Sequence, residues 1–232
     1  MSKTKLVKLD QNDAETDGRR RRGLKSRAQV LDQALRVAST RGLAGLTIGS
    51  LASDLGISKG NITILFNDKE TLQLRTIDAG VDFFVSKVVR PAMTAPTPYK
   101  QLQKLCGLWF DYVETRALPG GCIMTAISSE YRAQPGVLQD RIVHHRTAWH
   151  SLITKTIRAA RDSGEIDARV DIDQLAFELI SYQAAANTAA FIGDKKLFLR
   201  AKRTTFARIS EARTARRPGS RPRAPKSDFD HG

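Results

Sequence analysis

The chain is poor in the residues that carry most covalent and metal chemistry. Cys106 and Cys122 are its only cysteines, too few for a disulfide framework or a cysteine-based zinc site. No apolar run approaches the roughly 20 residues that a membrane span needs. The opening stretch MSKTKLVKLDQNDAETDG has no apolar core of the kind a secretory signal carries, so a soluble, cytoplasmic protein is expected. No Ser-His-Asp arrangement, phosphate loop or dinucleotide motif stands in a convincing context, and no catalytic residue or cofactor is expected. His144, His145 and His150 are spaced five and six apart across the two candidate pairs. The i, i+4 geometry that puts two ligands on one helix face is therefore missing, and no metal is expected. Strand-like alternation and internal repeats are absent as well.

Positive charge, by contrast, is plentiful: 38 Lys+Arg face 24 Asp+Glu, a formal net charge of +14. It lies at the ends. Residues 1–27 hold nine Lys/Arg against four Asp/Glu, and residues 201–232 hold nine against three, while the middle is close to balance. Basic ends favour a polyanion, because each cation placed on a phosphate releases condensed counterions. The plainer alternative is a solvated tail with no specific role. Residues 1–23, with the run Arg19-Arg20-Arg21-Arg22, are expected to form a disordered basic arm. Residues 214–232, rich in Pro and charge, are expected to form a disordered basic tail.

Between these ends the pattern is helical, and the fold class is all-α. Val30, Leu31, Ala34, Leu35, Val37 and Ala38 make an apolar stripe at three- and four-residue spacing that Gly42 ends. A short helix from Thr47 to Leu55, a turn at Gly56 and a second short helix from Ser58 to Phe66 follow. Asn67-Asp-Lys-Glu70 predicts a capping box opening a long helix that Pro91 stops. Thr97-Pro98, Asp171 and Asp194 predict three further helix starts; Gly164 and Gly193 predict two ends.

Residues 47–66 have the make-up of a helix-turn-helix. Two short helices that cross closely need a small residue at the contact, Ala52, and a residue tolerant of positive φ at the turn, Gly56. Leu51, Leu55, Ile57, Ile62 and Leu65 then form the shared core. Ser58, Lys59, Asn61 and Thr63 remain as a short polar face that suits the major groove of DNA.

With Arg27, Val30-Leu31, Ala34, Ala38, Gly42, Thr47-Ile48, Leu51-Ala52, Leu55-Gly56-Ile57-Ser58-Lys59-Gly60, Ile62, Phe66, Lys69-Glu70 and Leu72 in place, the segment over about 24–84 resembles the tetracycline-repressor (TetR) family of bacterial transcription regulators. It departs from the family pattern at Thr63, usually Tyr, and at Leu65, usually His or Tyr. The resemblance implies an N-terminal three-helix DNA-binding domain over 24–84 and a larger helical domain over 85–213 for effector binding and dimerisation. It implies Thr47 and Lys69 as phosphate anchors, Ser58, Lys59, Asn61 and Thr63 as the base-reading face, and Arg27 and Gly60 in the same DNA-binding set. The implied function is a ligand-responsive repressor that holds a palindromic, double-stranded operator as a homodimer through its last two helices, about 171–213. The alternative is a nonspecific or architectural DNA-binding protein that relies on its basic arms. Ala184-Ala185-Ala186 and Ala189-Ala190 suit close helix approach, either to a second subunit or within one. For an unknown small-molecule effector, the candidate pocket residues are Trp109, Phe110, Tyr112, Met124, Trp149, Phe177 and Tyr182, each equally readable as plain core. Cys122, at an expected helix start, is read as a structural thiol.

Overall fold

The computed structural model describes residues 6–131 and 134–213, with side chains described from Arg20 onward; the expected tail over 214–232 lies outside the described residues. Among the described residues every regular element is helical. The order is α1 (Leu6–Arg41), α2 (Ile48–Leu55), α3 (Lys59–Phe66), α4 (Lys69–Phe84), a π-helical segment (Val85–Val89), α5 (Arg90–Met93), α6 (Pro98–Glu114), α7 (Ile123–Glu130), α8 (Val137–Asp162), α9 (Ile172–Ile192) and α10 (Lys195–Glu211).

Helix α1 starts far earlier than the sequence pattern predicts. The expectation of disorder over 1–23 is corrected for residues 6–23, which continue the helix; residues 1–5 lie outside the described residues. The reason is cooperative. Val30, Ala34 and Ala38 bury one face and fix the helix, after which a proline-free stretch adds turns without a second nucleation step.

The capping box predicted at Asn67 is displaced by one residue. Asn67 sits at φ 70 and closes α3, while the Asp68 carboxylate accepts from the Thr71 amide at 2.7 Å and opens α4. Either residue can cap; the left-handed backbone at Asn67 leaves the role to Asp68. Pro91 does not stop the helical path as expected. The chain widens into the π-helical segment, where the Arg90 amide donates to the Val85 carbonyl five residues back, and Pro91 then falls in the first turn of α5.

Three apolar clusters organise the fold. Val30, Ala34, Leu46, Leu51, Ile62, Phe66 and Leu72 hold α1–α4 together at the N-terminal end. A central cluster joins α1, α4, α6 and α7 to α9 and α10 through residues such as Leu35, Ile77, Phe110, Ile123 and Phe198. A third, around Leu102, Leu105, Ile153, Ile157, Leu175 and Leu179, binds α6, α8 and α9.

Polar contacts fasten the end of α1 to the body. The Glu130 carboxylate at the end of α7 accepts from the Leu43 amide at 2.8 Å and the Ala44 amide at 2.6 Å. Gly120 packs so tightly on α1 that a Cβ there would overlap the Ser39 carbonyl, and its amide donates to the Ser39 hydroxyl at 3.2 Å.

Candidate functional site

The turn between α2 and α3 forms as its residues demand. Gly56 adopts φ 63, and the Ile57 amide returns to the Ala52 carbonyl at 3.0 Å, so the two helices meet over the small Ala52. Leu51 and Ile62 are fully buried beneath the crossing. Thr47 and Ser58 cap the two helices, accepting from the Ser50 amide at 3.0 Å and the Asn61 amide at 3.1 Å. Both hydroxyls nevertheless stay on the exposed side, next to helix N-termini whose free amides favour an anion.

Ser58, Lys59, Gly60, Asn61 and Thr63 are all exposed in the first turns of α3, and Lys69 is exposed at the first position of α4. This exposed strip holds the residues that the sequence reading singled out on α3. Two members have local tasks. The Thr63 hydroxyl donates to the Lys59 carbonyl at 3.1 Å, and the Lys59 chain lies beside Gly49, bringing its ammonium to the first turn of α2. Gly60 has open space where a side chain would project, so the backbone itself is free to approach a ligand closely. Arg27 is engaged from α1: its guanidinium donates to the Leu65 carbonyl at 2.7 Å and lies 5.2 Å from the Phe66 ring centroid. It braces the far end of α3.

One residue on the strip escaped the sequence pattern. Ile64 is 84% exposed, although an isoleucine inside a helical stretch reads as core. Its neighbours Ile62 and Phe66 take the buried positions instead.

The second candidate site is a cavity of about 490 Å³ between α4, the π-helical segment, α6, α7, α8 and α9. Of the seven predicted pocket residues, Trp109, Tyr112, Met124 and Trp149 line it. The other three do not. Phe110 is fully buried against Phe198 and Phe206, Tyr182 packs on the central cluster, and Phe177 is 62% exposed on the outer face of α9. Residue type marks an aromatic as apolar but not the way it faces.

Gly80, Val81 and Phe84 of α4, then Val85 and Val89, form one wall of the cavity. Trp149 crosses it with its indole N–H on the Gln183 amide oxygen at 3.2 Å, and Phe84 meets the indole edge-on at 5.1 Å. The Tyr112 hydroxyl is buried with no hydrogen-bond partner among the described residues, and burial pushes its pKa well above the usual phenol value. Burial also pushes the Cys106 thiol up to about 12, so it is inert. Cys122, buried at the start of α7, lines the cavity while its amide donates to the Asn187 side chain at 2.7 Å.

His145 reaches from α8 into the cavity wall and also meets Asp78 of α4 at 3.3 Å. Arg141 clasps the same carboxylate through Nη1, at 2.7 and 2.9 Å. The spacing of histidines gave no hint of this link, because its partner is distant in sequence. No group of three or more potential metal ligands occurs among the described residues. No helix among them is long and apolar enough to cross a membrane.

On α9, Gln174, Phe177, Ala184, Thr188 and Phe191 are exposed at steps of three, seven, four and three residues, with Ser181 half-buried between them and Ile192 beside them at 68%. Ala186 and Ala189 are buried within the subunit, so the alanine-rich stretch serves the interior and the outer face at once.

Comparison with known proteins agrees with this geometry. Residues 30–76 match the family described as bacterial regulatory proteins, tetR family, and residues 98–205 match the tetracyclin repressor-like C-terminal domain. None of the curated proteins compared with the chain matches it. Among solved structures it is similar to a TetR transcriptional regulator from Chloroflexus aurantiacus J-10-FL, at 24% identity and a TM-score of 0.77, over 84% of this chain and 100% of that one. A TetR-family regulator from Cytophaga hutchinsonii aligns at 17% identity and a TM-score of 0.72, over 84% and 98% of the two chains. AibR, solved with isovaleryl coenzyme A and operator DNA, aligns at 18% identity and a TM-score of 0.59, over 70% and 85%.

Proposed function

The chain belongs to the TetR family of bacterial regulatory proteins, and from that premise we propose that it is a cytoplasmic, ligand-responsive repressor that grips a palindromic operator as a homodimer. The observation that carries this reading is the exposed strip of α3, short and polar and held by two capped helix starts. Its hydroxyl, amide and ammonium groups match the donors and acceptors of base edges and phosphates. Thr47 and Lys69 serve as phosphate anchors, and Ser58, Lys59, Asn61 and Thr63 supply hydrogen bonds at the groove. Ile64 sits where an apolar side chain is of use only against another apolar group, and in the major groove that group is the thymine methyl.

A single helix-turn-helix spans few base pairs, so two heads about 34–36 Å apart are needed for a palindromic site. The apolar stripe of α9, with Leu199 at 48% exposed on α10, is the surface that a second copy would cover. Effector binding in the cavity acts on the heads through α4, whose first turns pack under α3 and whose last turns wall the cavity. Only a ligand that favours one head spacing over the other shifts the equilibrium.

The exposed arginines of α1, Arg20 and Arg22 among them, favour a second reading, an architectural protein that coats DNA. Selection of duplexes from a random pool at fixed salt separates the two. A regulator returns a palindrome bound at least about a thousandfold more tightly than bulk DNA. A coating protein returns no consensus, and that outcome would discard the repressor.

A further inference from the structure

We propose that the cavity binds an anionic amphiphile: an apolar body that carries a negatively charged end for Arg146. This rests on reading the cavity as the effector site and adds the chemistry of the occupant.

Two observations converge. The interior is walled by Phe84, Val89, Trp109, Leu152 and Ile180, which demand an apolar body. The charge on the wall has one sign, with Arg146 flanked by His145 and His150 and no carboxylate among the lining residues. His145 already has Asp78 as a partner, whereas Arg146 has no ion-pair partner among the described residues. Beyond Arg146 a second recess of about 620 Å³ shares Thr125, Arg146 and Ala184 with the first and adds the hydroxyls of Ser128, Ser129 and Thr188. A headgroup fits there while the tail lies inside, the Ala184 and Thr188 side of the recess bordering the face that a second copy would cover.

The chain's two tryptophans, Trp109 and Trp149, both line the cavity, so their fluorescence reads its occupancy directly and without DNA. The full-length protein is titrated with straight-chain carboxylates of about six to fourteen carbons, since each buried methylene adds to affinity. The matched alcohols and alkyltrimethylammoniums are titrated beside them. The carboxylate is expected to bind about tenfold more tightly than the alcohol of equal length, and the ammonium more weakly than either. Arg146→Ala removes the acid preference.

Equal affinity for acid and alcohol overturns the role of Arg146, as would happen if a partner's carboxylate already neutralised it. No fluorescence change with any chain length overturns the proposal whole. Acids that bind to a protein with no DNA preference would leave this assignment standing and remove the repressor instead.

Discussion

Truncating Ile64 to alanine isolates the apolar part of the DNA contact. The side chain is 84% exposed and sits between the buried Ile62 and Phe66, so its loss leaves the core of the head untouched. Alanine is also the better helix former, and the melting temperature of Ile64→Ala should stay within the range of neutral surface changes, about 0.5 kcal/mol either way. On DNA the balance differs. Complete burial of an isoleucine is worth roughly 1.5–3 kcal/mol, and nearly all of that side chain is still open to water. A groove covers one side of it, so about 1 kcal/mol per half-site is available. Two heads on one operator then lose about 2 kcal/mol, near a thirtyfold weakening. The assay is fluorescence anisotropy at fixed salt on the duplex selected from the random pool. Each thymine of a half-site is replaced in turn by deoxyuridine, which deletes only the methyl group. One such replacement should weaken the wild type about fivefold and leave Ile64→Ala unaffected. Were Ile64→Ala to bind the selected duplex within twofold of the wild type, the reasoning would fail. It would fail equally if both proteins paid the same penalty for every uracil.

Further outcomes follow from the same geometry. Lys59→Ala and Asn61→Ala should abolish preference for the selected duplex in gel-shift titrations while the helical circular dichroism stays unchanged. Glu130→Ala leaves the Leu43 and Ala44 amides without their carboxylate; a loss of about 2 kcal/mol is expected, a fall in melting temperature of roughly 4–8 °C by calorimetry. Gly120→Ala forces a methyl group into the Ser39 carbonyl and should cost about 3 kcal/mol or more, read by urea denaturation. The backbone amide of Thr71 holds the Asp68 carboxyl below its usual value of 3.8. A lowered folded pKa means that this stabilisation is complete above the unfolded value and drains away as pH falls through the folded one. Asp68→Asn, which keeps a capping oxygen, should therefore flatten the loss of stability in acid compared with the wild type.

The features that were legible in the sequence are those whose cause is local. Thr47, Gly56 and Ser58 specify helix starts and a turn within a few residues of themselves, and the helix-turn-helix forms where they say. Asp171 and Asp194 likewise open α9 and α10 by accepting from the Gln174 and Leu197 amides. Orientation was not legible. Phe110, Phe177 and Tyr182 have the same chemistry as the aromatics that line the cavity, and only the packing of α6 against α9 and α10 decides which of them faces inward. Ile64 hid for the opposite reason, being apolar in a helix yet turned outward. The Asp78 link to Arg141 and His145, and the grip of Glu130 on the end of α1, join residues more than sixty positions apart, a distance that periodicity does not reach. At Pro91 the local rule was sound, but the chain met it with a wider helical turn.

The seating of α1 on Gly120 and Glu130 bears on how such proteins are recombined. A chimaera that transplants residues 24–84 onto a different helical body would carry the bare Leu43 and Ala44 amides without the acceptor that quiets them. It would also press Ser39 against whatever residue replaces Gly120. Exchange of specificity between regulators should therefore succeed when the graft is confined to the outward strip of α3, and stall when the cut is made at the neck.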